Sequence, residues 1–312
     1  MTDPAHAYDP ELMEIVALIP TGDFGDLTTA RAGLESMLPM INAGLDETGL
    51  TIVDRIIAGP ADHPELTVRT YVPGDRMSDA GILYLHGGGY ILGSIESEHA
   101  GAAKVAREVG VVVISVEYRL APEDPFPAGL EDCYAALCWL GGPAQDLDVD
   151  TERIAVMGTS AGGGLAAALA LLTRARGGPQ PCFQFLGCPE IDDRMQTPSM
   201  TAFTDTPMFN RPAAEASWNH YLGADRQEVS PYAAPSRATD LTGLPPAYVS
   251  TQEFDPLRDE GIEYFRALQA AGVSCELHSF PGTFHGSAVV TSAEVSRREQ
   301  AEMIAVLRRR LG

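Results

Sequence analysis

Short, unbroken apolar runs alternate with longer amphipathic stretches through most of this 312-residue chain, and few folds accept that rhythm. Ile82 to His86 and Val111 to Tyr118 read as strands buried on both faces, with a helix over Glu98 to Val109 between them. The same reading gives a helix over 127–140, a strand over 153–157 and a helix over 160–176. Strands follow at Phe183 to Leu186, Ala247 to Thr251 and Ser274 to Phe280, with helices over 257–271 and 293–310. Two more strand-like runs, Leu50 to Ala58 and Leu66 to Val72, come earlier, divided by Gly59-Pro60 and Pro64. Alternating strands and helices of this kind predict an α/β fold: a mostly parallel, twisted sheet with helices on both faces.

Two intervals break the rhythm. Residues 10–48 read as amphipathic helix, with Leu12, Ile15, Val16, Leu18, Leu34, Met37, Leu38 and Ile41 apolar and Pro20, Gly22 and Gly25 between the halves. Residues 189–245 are rich in Pro, Thr and Met, with scattered aromatics. Together they suit a helical cap over the carboxyl edge of the sheet, where open α/β sheets bind ligands. The expected division is 1–48 and 189–245 as cap, 49–188 and 246–312 as core.

A formal net charge of −22 excludes nucleic acid and anionic membrane as partners, since both would repel such a surface. Five cysteines form no C-x-x-C pair, and their odd number suits a reducing compartment. Cys133 and Cys138 fall on an apolar helical stripe with Leu130, Tyr134 and Leu137, which makes them core candidates. No spacing of ligands resembles a metal site. The sequence from Met1 to His6 has neither a basic nor an apolar signal region, and the longest apolar run, Leu165 to Leu172, is too short for a bilayer. A cytoplasmic location is the expectation.

The chemistry centres on Gly158-Thr159-Ser160-Ala161-Gly162, a G-x-S-x-G set between a strand and a helix. A sharp strand-to-helix turn lifts a serine hydroxyl clear of the sheet, and small neighbours permit the close backbone approach. Alone the pentapeptide is weak evidence, with roughly 0.2 chance matches expected in such a chain. His86-Gly87-Gly88-Gly89-Tyr90 closes an earlier strand, and consecutive glycines leave backbone amides able to face a developing oxyanion. No G-K-[ST] follows, so a phosphate loop is excluded.

A serine nucleophile on this kind of turn needs an acid and then a histidine later in the chain. His6, His63, His86 and His99 precede Ser160, which leaves His220, His278 and His285. His220 falls in the cap and His278 alternates within a strand, whereas His285 sits in a turn just past that strand. Asp255, in Asp255-Pro256-Leu257-Arg258-Asp259-Glu260, stands at a strand end before that turn. It also suits a helix N-cap followed by proline, and Glu253 is its rival as the acid.

Jointly, His86-Gly87-Gly88-Gly89-Tyr90, Tyr118-Arg119-Leu120-Ala121-Pro122-Glu123, Phe126-Pro127-Ala128, Gly158-Thr159-Ser160-Ala161-Gly162-Gly163, Asp255-Pro256-Leu257-Arg258-Asp259-Glu260 and Phe284-His285-Gly286 resemble the hormone-sensitive-lipase-like, bacterial family IV carboxylesterases of the α/β-hydrolase fold. Thr159 resembles their GTSAGG subgroup. The resemblance implies a cofactor-free serine esterase for short- to medium-chain esters, with Ser160, Asp255 and His285 as the triad. It further implies oxyanion donors at Gly88, Gly89 and Ala161, residues 118–128 as a structural brace, and a homodimer through the last strand and helix. Phe203, Met208, Phe209 and Trp218 are candidates to line the acyl pocket, although an aromatic in a cap is as often core. An amidase or arylacetamide deacetylase would use the same triad, and a small-molecule receptor on the same fold would have lost part of it.

Overall fold

The computed structural model describes residues 6–16, 19, 24–63, 65–223 and 228–312. Leu18, Pro20, Gly22, Pro64 and residues 1–5, which enter the sequence reading, lie outside these. Eight strands make one sheet: β1 (Leu50–Ala58), β2 (Glu65–Pro73), β3 (Gly81–Leu85), β4 (Val112–Val116), β5 (Ile154–Thr159), β6 (Phe183–Gly187), β7 (Ala247–Phe254) and β8 (Cys275–Phe284). Their order is β1-β2-β4-β3-β5-β6-β7-β8. Pairing is antiparallel at β1–β2 and β2–β4 and parallel everywhere else.

The continuous apolar strands divide their side chains between two cores, as period-two alternation requires. Leu83, Leu85, Val112, Ile114, Ile154 and Val156 face one side. There they pack with α4 (Ala128–Leu140), α5 (Ala161–Arg176) and α8 (Arg258–Ala270) through Leu130, Leu137, Leu165, Leu169 and Leu268. Ile82, Tyr84, Val111, Val113, Ala155 and Met157 face the other. They meet α3 (His99–Val105) and α9 (Glu294–Leu311) through Ala102, Val105, Ile304 and Leu307. Cys133 is fully buried in the first core, whereas Cys138 is only half-buried.

Some boundaries differ from the expectation. The helix over 98–109 is α3 followed by one wide turn, Ala106–Gly110, which ends at a left-handed Gly110 (φ 74°). Among the described residues of 10–48 stand α1 (Pro10–Val16) and α2 (Leu27–Ile41). Leu12 is the buried residue of α1, and α2 has none, its Leu27, Ala30 and Leu34 packing half-buried on the first core. In the interval 189–245 stand α6 (Pro198–Ala202) and α7 (Arg211–Leu222). Thr197 and Asn210 cap them by accepting the amides of Met200 and Ala213, and each helix starts on proline-compatible positions. The two segments meet where Phe24 packs on Phe209, with ring centroids 5.9 Å apart. Among the described residues no helix is long and apolar enough to cross a membrane.

Candidate active site

Ser160 occupies the turn between β5 and α5 with φ 59° and ψ −123°, a conformation that costs a non-glycine residue on the order of 1–3 kcal/mol. Its surroundings enforce it. The Ser160 amide donates to the Gly187 carbonyl at 2.8 Å, tying the turn to β6. A Cβ on Gly158 would lie 2.3 Å from the Gly162 carbonyl carbon, and one on Gly162 would lie 2.1 Å from the Leu85 carbonyl oxygen. The flanking glycines of the motif are therefore required by backbone contact alone.

The carboxyl ends of β7 and β8 bring two more side chains to this turn. His285 Nε2 lies 3.0 Å from Ser160 Oγ, and His285 Nδ1 lies 2.7 Å from Asp255 Oδ2. These partners fix the tautomer: Nδ1–H donates to the carboxylate and Nε2 accepts from the serine hydroxyl. Burial alone would depress the His285 pKa, but the adjacent Asp255 carboxylate reverses this and holds it well above 6.5. Asp255 is fully buried, and its other oxygen accepts the Leu257 amide at 2.8 Å. It is not the N-cap suggested by Asp-Pro, because α8 begins only at Arg258. One oxygen closes a local turn and the other orients the imidazole.

The rivals stand elsewhere. Glu253 accepts the Gly282 amide at 2.7 Å. His278 stacks on Phe280 within β8, 4.1 Å between centroids, and His220 is in the last turn of α7. Cys188, just after β6, borders the imidazole, and its ligand atom lies within 4.8 Å of those of Asp255 and His285. Within that group His285 Nδ1 and the Asp255 carboxylate are already joined by their own hydrogen bond.

The glycine strip runs beside the turn: a Cβ on Gly87 would lie 3.6 Å from Ser160 Cβ. Gly88 and Gly89 have positive φ, 120° and 59°. Ala161 is the first residue of α5, where an amide has no intrahelical acceptor. His86 is buried, and burial lowers its pKa to about 4. Its Nδ1 donates to the Gly87 carbonyl at 2.8 Å while its ring stacks on Tyr118, 4.0 Å away. Tyr118 in turn donates to the His86 carbonyl at 2.7 Å. Arg31 of α2 donates to the Ile91 and Ala121 carbonyls and pairs with Glu123, joining the N-terminal helices to the strip and to segment 118–128.

Of the pocket candidates, Phe209 lies against His285 (4.8 Å between centroids). Met208 sits beside Gly286, where an added Cβ would lie 3.0 Å from its Cε. Phe203 packs among His6, Phe254 and the Arg258 guanidinium. Trp218 is a correction: it is fully buried beside Tyr90 and Tyr221, because α7 turns it inward, and it belongs to the core. Sequence reasoning missed Glu190 and Ser217. Glu190 is buried after β6 with Oε1 2.7 Å from Ser217 Oγ, which also reaches the Gly89 carbonyl at 2.8 Å. The only available signal was the position of Glu190 just past a parallel strand's carboxyl end, where ligand-facing residues collect.

The alpha/beta hydrolase fold family matches this chain over residues 82–289. The chain is 43% identical over 209 residues to carboxylesterase NlhH of Mycobacterium tuberculosis, a match covering 66% of this chain and 65% of that one, just under two thirds. It is 33% identical over 299 residues to an ethyl acetate hydrolase of Pseudomonas putida, covering 89% of this chain and 91% of that protein. Among solved structures, a bacterial heroin esterase superposes with a TM-score of 0.95 at 49% identity, covering 98% of both chains. The relatives and solved structures it resembles carry the names of esterases, and the chain itself belongs to the alpha/beta hydrolase fold family.

Proposed function

We propose that this protein hydrolyses carboxylic esters of short to medium acyl chain through an acyl-enzyme on Ser160. The observation that carries the reading is the hydrogen-bonded line from Asp255 through His285 to Ser160 Oγ, set against the glycine strip. Ser160 attacks the ester carbonyl as His285 Nε2 takes its proton. Asp255 holds the tautomer and stabilises the imidazolium. The amides of Gly88, Gly89 and Ala161 receive the developing oxyanion. His285 then protonates the leaving alcohol and activates the water that frees the acid. Phe209 lies against the imidazole and Met208 beside Gly286, which favours small acyl groups.

A cytoplasmic location and a homodimer belong to the same reading. All five cysteines are free, which suits a reducing compartment, and β8 leaves one sheet edge open to a second copy. The test is a panel of p-nitrophenyl esters of rising chain length beside the matching anilides, with Ser160→Ala as the control. Turnover of the short esters, absent in Ser160→Ala, is expected. Faster cleavage of anilides would move the protein to the amidases. Tight binding without turnover or organophosphonate labelling would make it a receptor.

A further inference from the structure

We propose that Glu190 is a positioning residue that works as a carboxylic acid, donating to Ser217 Oγ so that the Ser217 hydroxyl donates to the Gly89 carbonyl. The protons available fix the direction of both bonds. Ser217 Oγ lies 2.8 Å from the Gly89 carbonyl oxygen and 2.7 Å from Glu190 Oε1. A hydroxyl has one proton and a carbonyl can only accept. Both short contacts are hydrogen bonds only if the hydroxyl serves the carbonyl and the carboxyl supplies the second proton.

The surroundings agree with the neutral form. Glu190 is fully buried, and its Oε2 has no hydrogen-bond partner among the described residues. An ionised carboxylate with one hydrogen bond in such a place is costly. Facing it are His285 and Asp255 at the ends of β8 and β7, Tyr90 in the strip, Tyr221 on α7 and Glu260 on α8. Only His285 among these can carry a positive charge. Burial pushes the Glu190 carboxyl up to about 7. The main chain holds the side chain in place: the Glu190 amide donates to the Ser160 carbonyl at 3.1 Å, and Tyr90 donates to the Glu190 carbonyl at 2.5 Å. The Ser160 turn and the glycine strip are thus bridged by one residue.

Ionising Glu190 has two effects on the reaction. The Ser217 proton turns to the carboxylate, so the Gly89 carbonyl loses its donor. A negative charge also appears beside the strip where the oxyanion must form. Both act on the transition state, so kcat falls with rising pH while KM holds.

This deepens the esterase reading and rests on it, so the experiment separates the two. Wild type is first titrated with an organophosphonate, and kcat and KM for a short p-nitrophenyl ester are then followed against pH. Glu190→Ala and Ser217→Ala are expected to lose at least about tenfold in kcat, short of the roughly 100-fold typical of a lost oxyanion donor. Glu190→Gln keeps an N–H donor toward Ser217 and cannot ionise. It should recover most of the kcat lost in Glu190→Ala and abolish the alkaline fall. Glu299→Gln is the control, because burial also lifts Glu299 to about 7 near the triad, and it should leave that fall in place. Glu190→Gln as impaired as Glu190→Ala, or an alkaline fall that is absent from wild type or survives in Glu190→Gln, overturns the proposal. If Glu190→Ala does not fold, Ser217→Ala and Glu190→Gln decide it. Absence of stoichiometric labelling in wild type sinks the Ser160 reading and the relay with it.

Discussion

Asp255 illustrates how one side chain serves two structures. Its Oδ1 holds the Leu257 amide and its Oδ2 holds His285, so the local turn and the imidazole share a single buried carboxylate. Asp255→Asn preserves the shape and the turn but favours the wrong tautomer, and kcat should drop on the order of 10⁴-fold with little change in melting temperature. The pH profile gives a second readout. Because the carboxylate raises the His285 pKa, the base is protonated below that value, and kcat/KM should fall on an acid limb lying above pH 6.5. In Asp255→Asn that limb should move to lower pH, and an unmoved limb would remove His285 from the role. His285 was legible by elimination, since four of the seven histidines precede the serine and two others fall in the interval 189–245 or in a strand. Ser217 was not. A serine in mid-helix carries no local mark, and its meaning comes from Gly89 and Glu190, which only the fold brings to it.

The elements themselves were legible wherever burial is two-sided. β3, β4 and β6 are buried at every position, and such strands announce themselves as unbroken apolar runs. The ends were harder: β8 continues through Pro281-Gly282-Thr283 to Phe284, because pairing with β7 resumes at Phe254 after a bulge. Helix α2 shows the opposite limit, its apolar positions only half-covered and its place set by Arg31 contacts that no periodicity encodes. Two substitutions test the joints between elements. Gly162→Ala would drive a Cβ into the Leu85 carbonyl, so β3 and α5 must separate, and insoluble or inactive protein is expected on expression. Asp132→Ala in α4 would strip the fully buried carboxylate that accepts from the Arg119 amide and guanidinium. The cost should be about 3–5 kcal/mol in urea unfolding.

At the scale of the whole molecule, acidic side chains act in two opposed sets. Burial raises the pKa of Glu98, Glu117, Glu190, Glu260 and Glu299, so the folded chain holds protons that the unfolded chain releases. Stability is therefore lost as pH rises from the unfolded value of 4.5 toward about 7, where Glu190 and Glu299 titrate. Asp54, Glu96 and Glu123, lowered by Arg69 and Arg31, contribute above their unfolded values and lose that contribution as pH falls below them. The melting temperature should peak near pH ~5, and scanning calorimetry across that range checks it; a peak above neutrality would contradict it. The path of the chain between β6 and β7 has a different kind of consequence. Residues 189–245 join neighbouring parallel strands, so they form one long crossover excursion from the sheet. If such an excursion were exchanged between proteins of this fold, the scaffold strands on either side could stay as they are. It is not wholly detachable, since it carries both Glu190 and Ser217 and closes on Gly89 of the host. Inheritance of a new substrate by this route would demand that acid and serine travel as a pair.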